Sequence, residues 1–217
     1  MDKEKFKQAL ETVLAEKGSK KFNQTVDIII NLKEIDLKKN DQQVDFFLQL
    51  PKSKGKTPKI CGLVGPELLD ESKSTFDKTI EAHDFENFKG KNNEIKKLAE
   101  SYDYFVAQAT IMPQIASAFG RILGSRGKMP NPKAGCIMPP KAQLSPVKDR
   151  LATTVRVMAK SSSSVKLPIG TESQSVDEIA ENAVAIYQGL VNHTPQAENN
   201  IKNISLKLTM GKPVKVE

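Results

Sequence analysis

The stretch KICGLVGPELLDESK, residues 59–73, is where the chain changes character, and its reading decides the fold. Ile60 to Val64 form a short apolar run closed by a Gly-Pro turn, and PELLDESK then has the composition of a helix. A short apolar run feeding a helix is the signature of a parallel β-α-β unit. The pattern continues downstream. A weaker strand is expected around Thr79 to Glu81, then a lysine-rich helix in NNEIKKLAESY, a buried strand in YDYFVAQA and a helix in MPQIASAFGRILG.

The flanks read differently. TVDIIINLKEI places Val26, Ile28, Ile30 and Leu32 on one face, and VDFFLQL does the same with Val44, Phe46, Leu48 and Leu50. Strict alternation marks strands with one buried face, and the two are expected to pair antiparallel. After Arg150, TTVRVMAK, SVKLPIG and NISLKLTM resume the alternation. An amphipathic helix over residues 2–17 carries Phe6, Leu10, Val13, Leu14 and Lys17 at helical spacing and stops at Gly18. A second helix begins after Ser175 as N-cap with Glu178 at the capping-box position, and carries Ile179, Ala183, Ile186 and Leu190 as its apolar stripe.

These readings predict an α/β protein of two domains. Residues 1–59 and 151–217 form a discontinuous domain with an antiparallel sheet and two covering helices. Residues 60–150 are an inserted α/β domain, and the two crossings PKSKGKTPK and KDRLATT form a natural hinge.

Composition narrows the function. The 217 residues carry a formal net charge of +7, with no apolar run of transmembrane length. The opening segment MDKEKFKQALETVLAEKG lacks the apolar core of a signal peptide, so cytosolic residence is expected. The lysines gather in runs without acids, at 51–59, 121–141 and 201–216, which points to a polyanionic partner.

Catalytic and metal-binding patterns fail in turn. Cys61, Cys136, His83 and His193 lack metal-ligand spacing and read as core thiols, a loop residue and a helix-end cation. GSRGK (124–128) resembles a phosphate loop, but Ile122 stands where the first glycine is required and Met129 where a Ser or Thr is. GLVGP (62–66) lacks the dinucleotide fingerprint. No catalytic residue, metal or cofactor is expected.

A binding inventory is present instead. KKFNQTVD (20–27) combines lysines, an aromatic and short polar groups at a strand start. LTMGKP (208–213) offers Thr209, Met210, Gly211 and Lys212 at a strand end, with Lys212 fixed by Pro213. Lysine meets phosphate, an aromatic stacks on a base, a hydroxyl pairs with a 2′-OH, and glycine lets backbone approach closely. The two patches are expected at strand ends of one sheet, as an RNA surface in which LTMGKP forms the contact edge rather than a frayed tail. Arg126 and Lys128 form a secondary basic loop.

KFNQTVDI with LKEIDLKK, LPKSKGK, AQATIMPQIASAFGRILGSRGKMPNP and LTMGKPVKV, in that order, resemble the L1 family of ribosomal proteins in its archaeal or eukaryotic form, over nearly the whole chain. The resemblance implies a split β-α-β RNA-binding domain built from both termini, with an inserted Rossmann-like three-layer α/β domain that holds no nucleotide. It implies a structural component of the large ribosomal subunit, monomeric and cytoplasmic, that binds the mobile stalk of ribosomal RNA near the exit site. Exit-site tRNA and the protein's own mRNA are further implied partners. By motif match the RNA-facing residues would be Lys21, Phe22, Thr25, Asp27, Thr209, Met210 and Gly211, joined by Lys166, Gly170 and Thr171. Ser125 departs from the proline usual in the family's basic loop. An enzyme using the insertion to hold a nucleotide, and a free RNA-binding regulator, are the alternative readings.

Overall fold

The computed structural model describes residues 2–15, 18, 21–39, 42–160 and 162–216. The chain separates into two compact units, Met1–Lys56 with Thr153–Glu217, and Thr57–Ala152.

The flank unit is built around β1 (Thr25–Leu32), whose alternation is realised residue by residue, with Val26, Ile28, Ile30 and Leu32 buried. Both of its edges are occupied. β8 (Ser164–Thr171) lies antiparallel on one side, β9 (Ile201–Leu208) on the other, and the two-residue β10 (Val214–Lys215) adds to β9. Because β8 and β9 flank β1 and are joined by α7 (Val176–His193), the topology is a split β-α-β.

α7 starts where its capping signal lies: the Ser175 hydroxyl accepts from the Glu178 N–H at 3.4 Å, with Asp177 and Glu178 in the first turn. α1 (Lys3–Ala15) packs against α7 through Phe6, whose ring centroid lies 6.4 Å from that of Tyr187. Lys17, assigned to this helix from spacing, lies outside the described residues. Phe6, Leu10, Ile28, Ile30, Ile179, Ile186, Leu190 and Leu206 are buried together in one core.

One expectation is corrected. β2 (Val44–Gln49) does not pair with β1; it forms a separate two-stranded antiparallel ladder with β7 (Thr154–Ala159). Alternation specifies which face of a strand is buried, not its partner, and here β8 and β9 already saturate β1. The β2–β7 ladder is fastened by Asp45, which accepts from Arg156 Nε at 2.8 Å and Nη2 at 3.0 Å, and from Lys160 at 2.8 Å. Its inner face meets the end of α7, where Phe46 stacks on His193 at 3.8 Å.

The last strand closes in a turn and a short return strand. Gly211 N–H donates to Leu208 O at 3.0 Å, β10 returns along β9 with Val214 opposite Leu206, and Val216 is buried. Thr209 to Pro213 are therefore a turn, not a tail.

The inserted unit is a parallel sheet in the order β4-β3-β5-β6, from β3 (Ile60–Val64), β4 (Lys78–Glu81), β5 (Tyr104–Gln108) and β6 (Ile137–Met138). One face packs Cys61, Leu63, Phe105 and Ala107 against α3 (Phe85–Phe88), α4 (Asn92–Ser101) and α5 (Met112–Ser125). On the other face α2 (Leu69–Thr75) and Phe76 approach so closely that a Cβ at Gly62 would lie 2.5 Å from Ser72 Oγ and 2.8 Å from the Phe76 ring. α6 (Ser145–Thr153) is tied to the end of α2 by Lys148, which donates to Thr75 O at 2.8 Å. The result is three layers, as the β-α-β pattern requires.

No described helix is long and apolar enough to cross a membrane.

Candidate nucleic-acid interface

Sheet register brings the two sequence-distant patches to one corner. Thr25 opens β1 opposite Thr171, the end of β8, and Val26 faces Leu208, the end of β9. Residues preceding β1 and following β8 and β9 therefore emerge side by side. Thr209 seals the junction: its N–H donates to Thr25 O at 3.0 Å, and its hydroxyl accepts from Thr25 N–H and donates to Thr25 O, both at 3.2 Å. Much of the hydrogen-bonding capacity of that hydroxyl is thus spent on the corner itself.

Phe22 and Met210 stand out on this corner. They are 50% and 66% exposed, and Met158 is the only other large hydrophobic side chain so exposed among the described residues. Apolar side chains left in water beside lysines suit the faces of unstacked bases. Lys21 and Lys212 are exposed on the same turns. Gly211 is partly constrained from within, since a Cβ there would lie 3.2 Å from the Leu208 Cβ.

Asp27 sits one step into the sheet, opposite Lys207 on β9 and beside a bulge in β8, where Ile169 is the extra residue between Gly170 and Pro168. Burial pushes its carboxyl above the usual range, and Lys207 and Lys56 oppose the shift. A carboxylate flanked by lysines accepts hydrogen bonds and repels phosphate, so it would select a 2′-OH or an amino group. Lys166, opposite Ile29 on β8, is exposed farther along the sheet.

Gly170 and Thr171 are placed behind this surface. Both are buried; a Cβ at Gly170 would lie 2.8 Å from Gln174 Oε1 and 2.9 Å from Ile179 Cγ1, and Thr171 Oγ1 lies 3.1 Å from Ser173 Oγ.

Two participants escaped the motif reading. Lys207 was legible, because the alternation that buries Leu206 and Leu208 turns it outward. Lys56 arrives through the loop 51–56, which looks like a linker in sequence. That loop is held down by Asn182, which accepts from Lys52 N–H at 3.0 Å and donates to Ile169 O at 2.8 Å, and by Gln174, which donates to Ser53 O at 2.9 Å.

Arg126 and Lys128 belong to the inserted unit, where both are engaged. Arg126 pairs with Glu100 at 2.8 Å. The Lys128 ammonium donates to Ala99 O and Tyr102 O, each at 2.7 Å, capping the end of α4. GSRGK itself ends α5: Gly127, at φ +65°, donates to Gly124 O at 3.0 Å and Lys128 N–H to Leu123 O at 2.8 Å, a Schellman stop.

The turn after β3, where a nucleotide phosphate would rest, is filled by a side chain. Gln108 Oε1 accepts from Gly65 N–H at 2.9 Å, and Gln108 Nε2 donates to Glu67 at 3.2 Å, so a carboxylate faces that position. Burial raises the thiols of Cys61 and Cys136 to about 12 and about 11, far from nucleophilic thiolates.

Comparison with known proteins identifies the family. The family model described as "Ribosomal protein L1p/L10e family" matches residues 13–212. The large ribosomal subunit protein uL1 of Thermococcus kodakarensis is 35% identical over 217 residues, covering 100% of this chain and 98% of the relative. That of Nanoarchaeum equitans is 40% identical over 207 residues, covering 93% and 95%, and that of Archaeoglobus fulgidus 32% identical over 217 residues, covering 100% and 99%. A match spanning nearly every element of both units, with the exposed corner inside it, places this chain in the ribosomal protein L1p/L10e family.

Proposed function

We propose that this chain is a structural component of the large ribosomal subunit in the cytoplasm, and that its flank unit holds the mobile stalk of large-subunit ribosomal RNA. The family is one of structural proteins, and the chain is not an enzyme. The observation that carries the RNA reading is the meeting of residues 21–25 and 209–212 at one corner of the sheet, with Phe22 and Met210 exposed among lysines. Its core is apolar and shaped, and its rim is cationic, so affinity will combine stacking with a salt-dependent term of about one counterion per phosphate contacted. From this position the protein would move with the stalk and assist release of deacylated tRNA from the exit site. A stalk-like hairpin in its own mRNA would compete for the same corner, making the protein a repressor of its own translation.

Sedimentation tests the reading against that of a free RNA-binding regulator. The native protein is expected to travel with large subunits and to bind a stalk RNA fragment in filter-binding titrations. Absence from large subunits combined with tight RNA binding would favour the regulator.

A further inference from the structure

Gln24 is the polar member of an apolar series. Positions 24, 26, 28, 30 and 32 all point inward, and Gln24 is as buried as the rest, at 1% exposure. Its amide is used on both ends. Oε1 accepts from Met210 N–H at 3.2 Å, and Nε2 donates to Glu172 Oε2 at 3.4 Å. Its own carbonyl accepts from Glu172 N–H at 3.0 Å. One residue thus ties together the segment preceding β1, the turn after β8 and the turn after β9. Fold stability alone is served by an apolar side chain at such a position, because a buried amide must find partners to offset its desolvation. Here both partners lie in turns, and one is the backbone of Met210, the most exposed large hydrophobic side chain among the described residues.

We infer that Gln24 is a positioning residue for RNA: it never meets the ligand, but it fixes the Met210 backbone so that the thioether and Phe22 form one preformed surface. This rests on the reading of the corner as the RNA interface. Preorganisation of this kind raises affinity by removing ordering that would otherwise accompany binding. It leaves the number of phosphate contacts unchanged.

The test uses the full chain, an archaeal large-subunit stalk RNA fragment and amide hydrogen exchange. Gln24→Met removes both amide bonds at similar length. It is expected to weaken binding about ten-fold, the equivalent of one lost hydrogen bond, with an unchanged salt slope and faster exchange at the Met210 amide. Gln24→Glu sets a second carboxylate against Glu172 and should also bind more weakly. The double variant Gln24→Glu with Glu172→Gln restores an amide–carboxylate pair with roles exchanged and no net charge change, and should return to within about three-fold of the parent. Wild-type affinity in Gln24→Met, or a double variant no better than Gln24→Glu, would overturn the inference. If Gln24→Met does not fold, the recovery in the double variant decides. If the unmodified chain fails to bind the fragment, the RNA reading falls; Met210 exchange still reports the latch, and unaltered exchange in Gln24→Met removes it independently.

Discussion

Replacing Phe22 by alanine separates the two roles an aromatic side chain can play. Phe22 is 50% exposed and precedes the first strand residue, Thr25. Full burial of such a side chain stabilises a fold by about 1.5–3 kcal/mol. Half burial sets an upper bound of about 1.5 kcal/mol, so Phe22→Ala should lower the melting temperature by only a few degrees. If the ring stacks on a base, its loss should weaken RNA binding by about 1–3 kcal/mol, roughly 5- to 150-fold. The assay is a filter-binding titration of stalk RNA at several salt concentrations, paired with thermal melts of the free protein. The expected signature is a parallel displacement of the binding curves, with the salt slope unchanged because no phosphate contact is lost. Unchanged affinity would refute the stacking role. A large drop in melting temperature of the free protein would refute the premise that the ring is available to a ligand.

Three further outcomes are expected. Gly55, at φ +79°, has no room for a side chain: a Cβ would lie 2.6 Å from both Thr171 Cγ2 and Oγ1. Gly55→Ala should therefore destabilise the protein by roughly 1–2 kcal/mol, and should weaken RNA binding by displacing Thr171 behind Thr25, measurable by melts and titration together. The Arg156 guanidinium and Lys160 hold the Asp45 carboxyl at about 2, against 3.8 for a free aspartate. A depressed carboxyl pKa contributes stability that is complete above the unfolded value and fades as pH falls through the folded one. Asp45→Asn should therefore lose about 0.5–1 kcal/mol at neutral pH for so partly exposed a pair, and the two proteins should converge in denaturant titrations between pH 3.8 and about 2. Finally, Leu50 N–H bonds Thr153 O at 3.0 Å and Lys54 bonds Thr154 O at 3.2 Å, so the two crossings run side by side. A chain with residues 57–152 replaced by a short linker should fold and still bind stalk RNA; a molten product by near-UV circular dichroism would refute the independence of the flank unit.

Periodicity made much of this structure legible. The alternation of β1, the cap and stripe of α7, and the shift to consecutive apolar residues at Ile60 each report a local environment, and each element stands where its pattern lies. What failed to show were elements with too few residues to have a period, β6 at Ile137–Met138 and α3 at Phe85–Phe88. α6 hides for another reason: only Leu151 within it is buried, so no stripe forms. The partner of β2 was out of reach because a pattern on one strand says nothing about which edge it meets. At the corner, side-chain types named a chemistry but not an orientation. Gly170 fits the inventory of close backbone approach, yet its missing Cβ accommodates Gln174 and Ile179 inside the protein. Gln24 is the converse case: it fell within the polar inventory of KKFNQTVD, yet it shares parity with Val26 and Ile28 and is buried with them.

The order of strands has a consequence for the life of the chain before it is complete. β1 is an inner strand of its sheet, yet both of its neighbours come from the far end of the sequence: Ile30 pairs with Val165 and Ile204. At a synthesis rate of about 5–20 residues per second, β1 waits roughly 7–25 s for its first ladder partner. During that interval Ile28, Ile29 and Ile30 form a bare apolar segment with two open edges, the kind that recruits other nascent chains. The intervening residues 57–152 can close their own sheet in the meantime, shortening the effective loop that β8 must span. The slow, exposed step of folding is therefore the completion of the unit proposed to carry the RNA.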